Sequence, residues 1–186
     1  QNIGQAAERV NGTLLLPGET FSMNDTALER TAANGYTEGF VIQGGRLVEE
    51  LGGGVSTITT AIWDAAFFAG LERVEQHPHG LYIPRYTAGL EATVAWGYLD
   101  LKMRNETGNG VLITATRYSD GVVIEMWGTK KWDTVTATFS PRTNYTAYET
   151  IRDNNSDGEC VPSSGSRGFS INVTRKRIKD GKSKST

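Results

Sequence analysis

Three consecutive glycines, Gly52, Gly53 and Gly54, run straight into a Ser/Thr cluster and then an apolar helix, in the stretch 51–71 reading LGGGVSTITTAIWDAAFFAGL. No other stretch restricts the fold as strongly. Glycine takes backbone angles closed to other residues and lets a ligand or another segment approach the main chain. Beyond it, Ile58, Ala61, Ile62, Ala65, Ala66 and Ala69 keep the i, i+3, i+4, i+7 spacing of an amphipathic helix, expected over residues 57–71 with Gly70 as its C-cap. Ser56 then falls at or beside the N-cap. A hydroxyl there accepts bonds from the free N–H groups of the first turn, and the same groups favour negative charge nearby. Capping is the ordinary reading of such a serine; a nucleophile beside an oxyanion site is the sharper one.

The rest of the chain reads as an α+β fold with mostly antiparallel sheet. Residues 2–10 carry an apolar stripe of Ile3, Ala6, Ala7 and Val10, predicting a short N-terminal helix closed by Asn11-Gly12. A strand at 13–16 ends in a Pro17-Gly18 turn, and 21–36 reads as a polar loop with Phe21 and Met23 turned inward. Gly44-Gly45 between 40–43 and 46–49 signals a hairpin that feeds the glycine stretch. After the helix, 73–76 predicts a strand and 81–86 an extended segment, followed by strands at 92–96, 100–104, 110–118, 122–127 and 134–140. The turn Ser119-Asp120-Gly121 is the clearest hairpin signal. Trp96, Trp127 and Trp132 read as aromatic core, a sugar-stacking surface being the other reading. Residues 154–167 around Cys160 read as a surface loop, 169–173 as a closing strand, and the basic run 175–186 as a solvated tail that frays from it.

Short strings give the chain a resemblance. These are Asn11-Gly12-Thr13, Pro17-Gly18-Glu19-Thr20-Phe21-Ser22-Met23-Asn24, Gly35-Tyr36, Val41-Ile42, Gly52-Gly53-Gly54-Val55 and Ala69-Gly70-Leu71-Glu72. His77-Pro78-His79, Glu91-Ala92-Thr93-Val94 and Asp100-Leu101-Lys102-Met103-Arg104-Asn105 continue the series. In this order and at these spacings they resemble the VanW family, which is named after a vancomycin-resistance accessory protein and occurs in cell-envelope proteins of Gram-positive bacteria. The resemblance implies one VanW-like domain over residues 1–174 with the basic tail 175–186 behind it. It also implies an extracellular or envelope location, tethered through an anchor outside these residues, beside other domains of a longer protein. Many members carry Cys then Gln after the glycines and valine, and some have been linked to L,D-transpeptidase chemistry, in which a Cys thiolate attacks a peptidoglycan stem peptide. Ser56 and Thr57 stand at those positions. A thiol is partly ionised near neutral pH, whereas an alkyl hydroxyl needs a nearby base.

His77 and His79 are the only histidines and stand two apart, so in extended backbone they would share a side. Either is a candidate base for Ser56, with Glu91 or Asp64 orienting it, N–H groups from Gly54 to Thr57 holding an oxyanion, Gly53, Gly54, Thr57 and Glu91 lining the substrate site, and Arg85 holding a substrate carboxylate. A metal site is not expected, because no third ligand accompanies the two rings. No cofactor is expected either. The formal charge of -2 gives no reason to expect nucleic acid, and no apolar run reaches the ~20 residues that span a bilayer. The reading is thus a monomeric, peptidoglycan-directed domain, either an acyl transferase acting on stem peptides or a non-catalytic module that binds them.

Overall fold

The computed structural model describes residues 1–43, 46–150, 152 and 164–186. The chain begins with α1 (Asn2–Val10), β1 (Thr13–Leu15), β2 (Thr20–Ser22), α2 (Met23–Ala27), a 3-10 turn (Ala32–Asn34), β3 (Glu38–Gln43) and β4 (Arg46–Leu51). The long helix α3 (Val55–Ala69) follows, then β5 (Glu72–Glu75), β6 (Lys102–Arg104), β7 (Val111–Arg117) and β8 (Val122–Gly128). The chain continues through β9 (Thr134–Phe139), β10 (Thr143–Thr146), β11 (Gly168–Ser170), β12 (Val173–Lys179) and β13 (Lys182–Ser185). All pairings among the described residues are antiparallel, in sheets ordered β1-β7-β8, β2-β6-β5, β3-β4, β10-β11 and β13-β12-β9. This is the expected α+β class with a central helix. Gly44-Gly45, Cys160 and most of 154–167 lie outside the described residues.

Helix α3 is the hub. Ile58, Ile62 and Ala66 are fully sealed, as the stripe predicts, and Trp63 and Phe67 join them. Ala6, Ala7 and Val10 of α1 pack into the same core with Val111, Ile113 and Ala115 of β7. Both helices therefore lie on the β7–β8 ribbon, whose burial alternates as a one-faced strand should. Gly70 ends α3 in the left-handed region at φ 81°, and the Leu71 N–H reaches back to the Ala66 carbonyl at 3.0 Å, closing a Schellman cap.

Several expectations fail for identifiable reasons. The supposed loop 21–36 contains β2, α2 and the 3-10 turn, because the Ser22 hydroxyl accepts from the Asp25 N–H and nucleates a helical turn that hydropathy does not signal. Residues 92–96 form no strand beyond an isolated Ala95–Leu99 bridge, since their backbone bonds to His77 and to α3 instead of to a ladder. Residues 81–86 turn rather than extend. Trp96 and Trp127 are 43% and 57% exposed, Trp132 is half-buried, and Trp63 is the tryptophan in the core. Nor is there one closing strand at 169–173; β11 ends at Ser170 and β12 starts at Val173. The basic run does not fray: β12 pairs with both β9 and β13, and Arg175 and Arg177 are buried.

Candidate functional site

The glycine turn places the site by close approach. A Cβ on Gly53 would sit 2.1 Å from the Gly39 carbonyl carbon, so β3 and the turn pack backbone on backbone. The Asn2 side chain locks that contact, its amide donating to the carbonyls of Thr37 (2.8 Å) and Gly53 (3.0 Å). Gly54, at φ 93°, is the N-cap of α3, and no side chain caps it. Ser56 is accordingly inside the first turn, and α3 begins at Val55 rather than 57.

The Ser56 hydroxyl pairs with the Thr93 hydroxyl at 3.0 Å. One turn later Thr60 does related work: its Oγ1 donates to the Ala92 carbonyl (3.0 Å) and accepts from the Ala92 N–H (3.1 Å). Together these residues strap segment 91–93 onto α3. From the other side the Thr93 N–H donates to the His77 carbonyl at 2.9 Å, and the Gln76 amide donates to the Glu91 carbonyl at 2.5 Å.

That strap delivers Glu91 to His79. Their side chains are 9% and 7% exposed, and the Glu91 carboxylate meets His79 Nδ1 at 2.6 Å. With Nδ1–H donating to the carboxylate, a neutral ring keeps its lone pair on Nε2, the orientation a general base needs. Glu91, not Asp64, is thus the partner of the histidine. The His79 ring stacks on Tyr86 at 5.3 Å, and the Tyr86 hydroxyl bonds the Thr57 hydroxyl at 3.1 Å. Exposed Arg85 closes the group, donating to Thr57 Oγ1 at 3.1 Å and to the Tyr86 hydroxyl at 2.7 Å.

Ser56, Thr57, His79, Arg85 and Glu91 therefore gather at the N-terminal end of α3. His77 does not join them. Its ring is 40% exposed and pairs with Glu75 at 3.1 Å, while Glu75 also holds Lys102 at 2.9 Å. The two rings take different carboxylate partners, Glu75 and Glu91, and residues 76–79 lie outside any strand. Among the described residues no hydrogen bond joins Ser56 to an imidazole, and two of the expected oxyanion donors are engaged: Val55 N–H with the Gly52 carbonyl (3.2 Å) and Thr57 N–H with that of Gly54 (2.9 Å). Asp64 stands apart, with Oδ1 sealed and unpaired among the described residues and its carboxyl pushed up to about 6 by burial. No three His, Cys, Asp or Glu side chains converge among the described residues. Two members of the site escape sequence reasoning. Thr93 lies inside a string already singled out, whereas Tyr86 carries no signal of its own.

Fold and site define a small α+β domain built on a glycine turn and one central helix, with a buried His–Glu pair beside the helix N-terminus. Comparison gives it a family: a model described as "VanW like protein" matches residues 1–127, and the chain belongs to the VanW family. It is 32% identical to an uncharacterised protein, YoaR, of Bacillus subtilis (strain 168), over 68% of this chain and 42% of that protein. It is 26% identical to the vancomycin B-type resistance protein VanW of Enterococcus faecalis (strain ATCC 700802 / V583), over 70% of this chain and 49% of that one. The chain thus spans under half the length of these curated relatives. No solved structure matches it.

Proposed function

We propose that this domain is directed at peptidoglycan stem peptides in the cell envelope and binds them across the N-terminal end of α3 without a covalent step. The observation that carries the reading is the state of Ser56: its hydroxyl is shared with Thr93, and among the described residues no base hydrogen-bonds to it. An alkyl hydroxyl so placed is a strap, not an activated nucleophile. Beside it, Arg85 presents the free donors of an exposed guanidinium next to the Thr57 and Tyr86 hydroxyls, an arrangement suited to a peptide carboxylate. The vancomycin-resistance name of the enterococcal relative is consistent with a wall-directed role. An envelope location follows from that substrate.

A second reading is acyl transfer by Ser56. The buried His79–Glu91 pair at 2.6 Å favours it, because a sealed carboxylate orienting an imidazole is what such chemistry requires. Calorimetric titration with a stem pentapeptide, paired with intact-mass measurement after exposure to the peptide or to a carbapenem, separates the two. Binding with unchanged mass, weakened about tenfold in Arg85→Ala by loss of a charge-assisted bond, is the expected result. A mass increase that maps to Ser56 replaces binding with acyl transfer. Absence of both binding and adduct removes the peptidoglycan assignment.

A further inference from the structure

A cavity of about 280 Å³ opens at the other end of α3, between that helix, β5 and the C-terminal hairpin β12–β13. Arg73, Arg175, Arg177 and Lys184 line it together with Gln76. Arg175 and Arg177 are 5% and 4% exposed, a depth at which arginine is ordinarily matched by an acid. Neither meets a carboxylate among the described residues. Arg175 donates to the carbonyls of Phe67 (3.3 Å) and Leu71 (2.8 Å), and Arg177 to that of Gly70 (3.4 Å). These are the last carbonyls of α3 and its cap, so the guanidinium groups meet the negative end of the helix dipole. That is a partial charge set against two whole ones. Among the described residues Arg177 Nε is sealed and unpartnered. The Arg175 pKa is lowered to about 10 by burial and then by the charges of Arg177 and Arg73.

The wall does contain acids, but they are committed elsewhere. Glu72 binds Arg104 at 2.6 Å and Glu106 binds it at 3.4 Å. The cavity is therefore lined by four cationic side chains against two acidic ones, and one buried donor beside it, Arg177 Nε, has no hydrogen-bond partner among the described residues.

We propose that this cavity is a binding site for an oxyanion, a carboxylate or a phosphate group. An anion seated against Arg73, Arg175 and Lys184 supplies the counter-charge that the fold leaves out. It also makes charge-assisted bonds, which are roughly twice as strong as neutral ones. The site is distinct from the Ser56 cluster and does not depend on the stem-peptide reading. One chain of hydrogen bonds nonetheless links the two, since Gln76 lines the cavity and donates to the carbonyl of Glu91, whose side chain holds His79.

The test is thermal melting and calorimetric titration of the chain with four probes at matched ionic strength in chloride. These are inorganic phosphate, glycerol phosphate, the dipeptide Ala-Ala, and Ala-Ala amidated at its C-terminus. Saturable binding of a phosphate or of the free dipeptide is expected, with the amide inert, and ligand-dependent stabilisation follows from the linkage of binding to folding. Whichever of glycerol phosphate and Ala-Ala binds more tightly tells a phosphate source from a peptide carboxylate. Arg73 and Lys184 are exposed, so the double variant Arg73→Gln, Lys184→Gln folds and is expected to bind at least about tenfold more weakly. Absence of saturable binding by phosphate, glycerol phosphate and Ala-Ala overturns the proposal. So does an affinity unchanged in the double variant, because the anion then sits elsewhere.

Discussion

At the scale of single residues, the fold tolerates charge where it is costly. Asp64 faces a half-buried position on α3 with one carboxylate oxygen unpaired, and burial pushes its carboxyl from 3.8 to about 6. The direction of the linkage follows. Below pH 3.8 the group is protonated folded or unfolded and costs nothing; as pH rises toward 6 the unfolded chain releases its proton first, so stability falls, and above 6 the penalty is complete. Asp64→Asn is therefore expected to stabilise the protein at pH 7 by about 1 kcal/mol once solvent screening is allowed for, with the gain gone near the ordinary carboxylate pKa. Urea midpoints of both proteins across the acid range measure it. An equal gain at every pH would mean that charge is not the cause.

At the scale of elements, the glycine turn shows two different demands in adjacent positions. Gly54 is needed for its dihedral angle, φ 93°, and an added Cβ there would meet nothing closer than Ile3 at 3.8 Å. Gly53 is needed for space, with the Gly39 backbone where its Cβ would go. Gly54→Ala is expected to cost about 1–2 kcal/mol, the price of a left-handed alanine. Gly53→Ala forces β3 away from the turn and breaks the Asn2 clamp, so its cost is expected to exceed about 3 kcal/mol. Chemical denaturation ranks the two. If Gly54→Ala proves the worse, backbone strain outweighs packing at this junction.

At the scale of the whole molecule, the family match ends at residue 127, yet the helix that match contains is finished by residues beyond it. Arg175 and Arg177 of β12 satisfy carbonyls at the C-terminal end of α3, Arg175 and Trp132 pack on Phe67 and Gly70, and Val173 is packed against the core. A chain ended after Gly128 would leave those carbonyls and the Trp63–Phe67 face open to water. We expect it to retain helical far-ultraviolet signal while losing the sharp near-ultraviolet melt, whereas in the intact chain the two melts coincide. A truncated chain that melts as sharply and as high as the full one would show that the C-terminal sheet contributes nothing to the helix it touches.

What was legible in the sequence is what short-range rules control. The stripe of α1, the Gly70 cap, the apolar face of α3 and the hairpin at Asp120-Gly121 depend on residues a few positions apart, so α+β could be read directly. The strings that carry the family resemblance proved informative for a related reason: many are scaffold bonds. Asp100 accepts from Ser22 and from the Asn24 N–H, and Asn105 donates to the carbonyls of Leu15 and Asn109. Only the tertiary structure decided which partner each site residue takes. Ser56 meets Thr93 across 37 positions, Arg175 meets Leu71 across 104, and His79 rather than His77 receives the carboxylate of Glu91. A side chain with several possible hydrogen-bond partners keeps the one that packing brings within about 3 Å, and local sequence does not encode that distance.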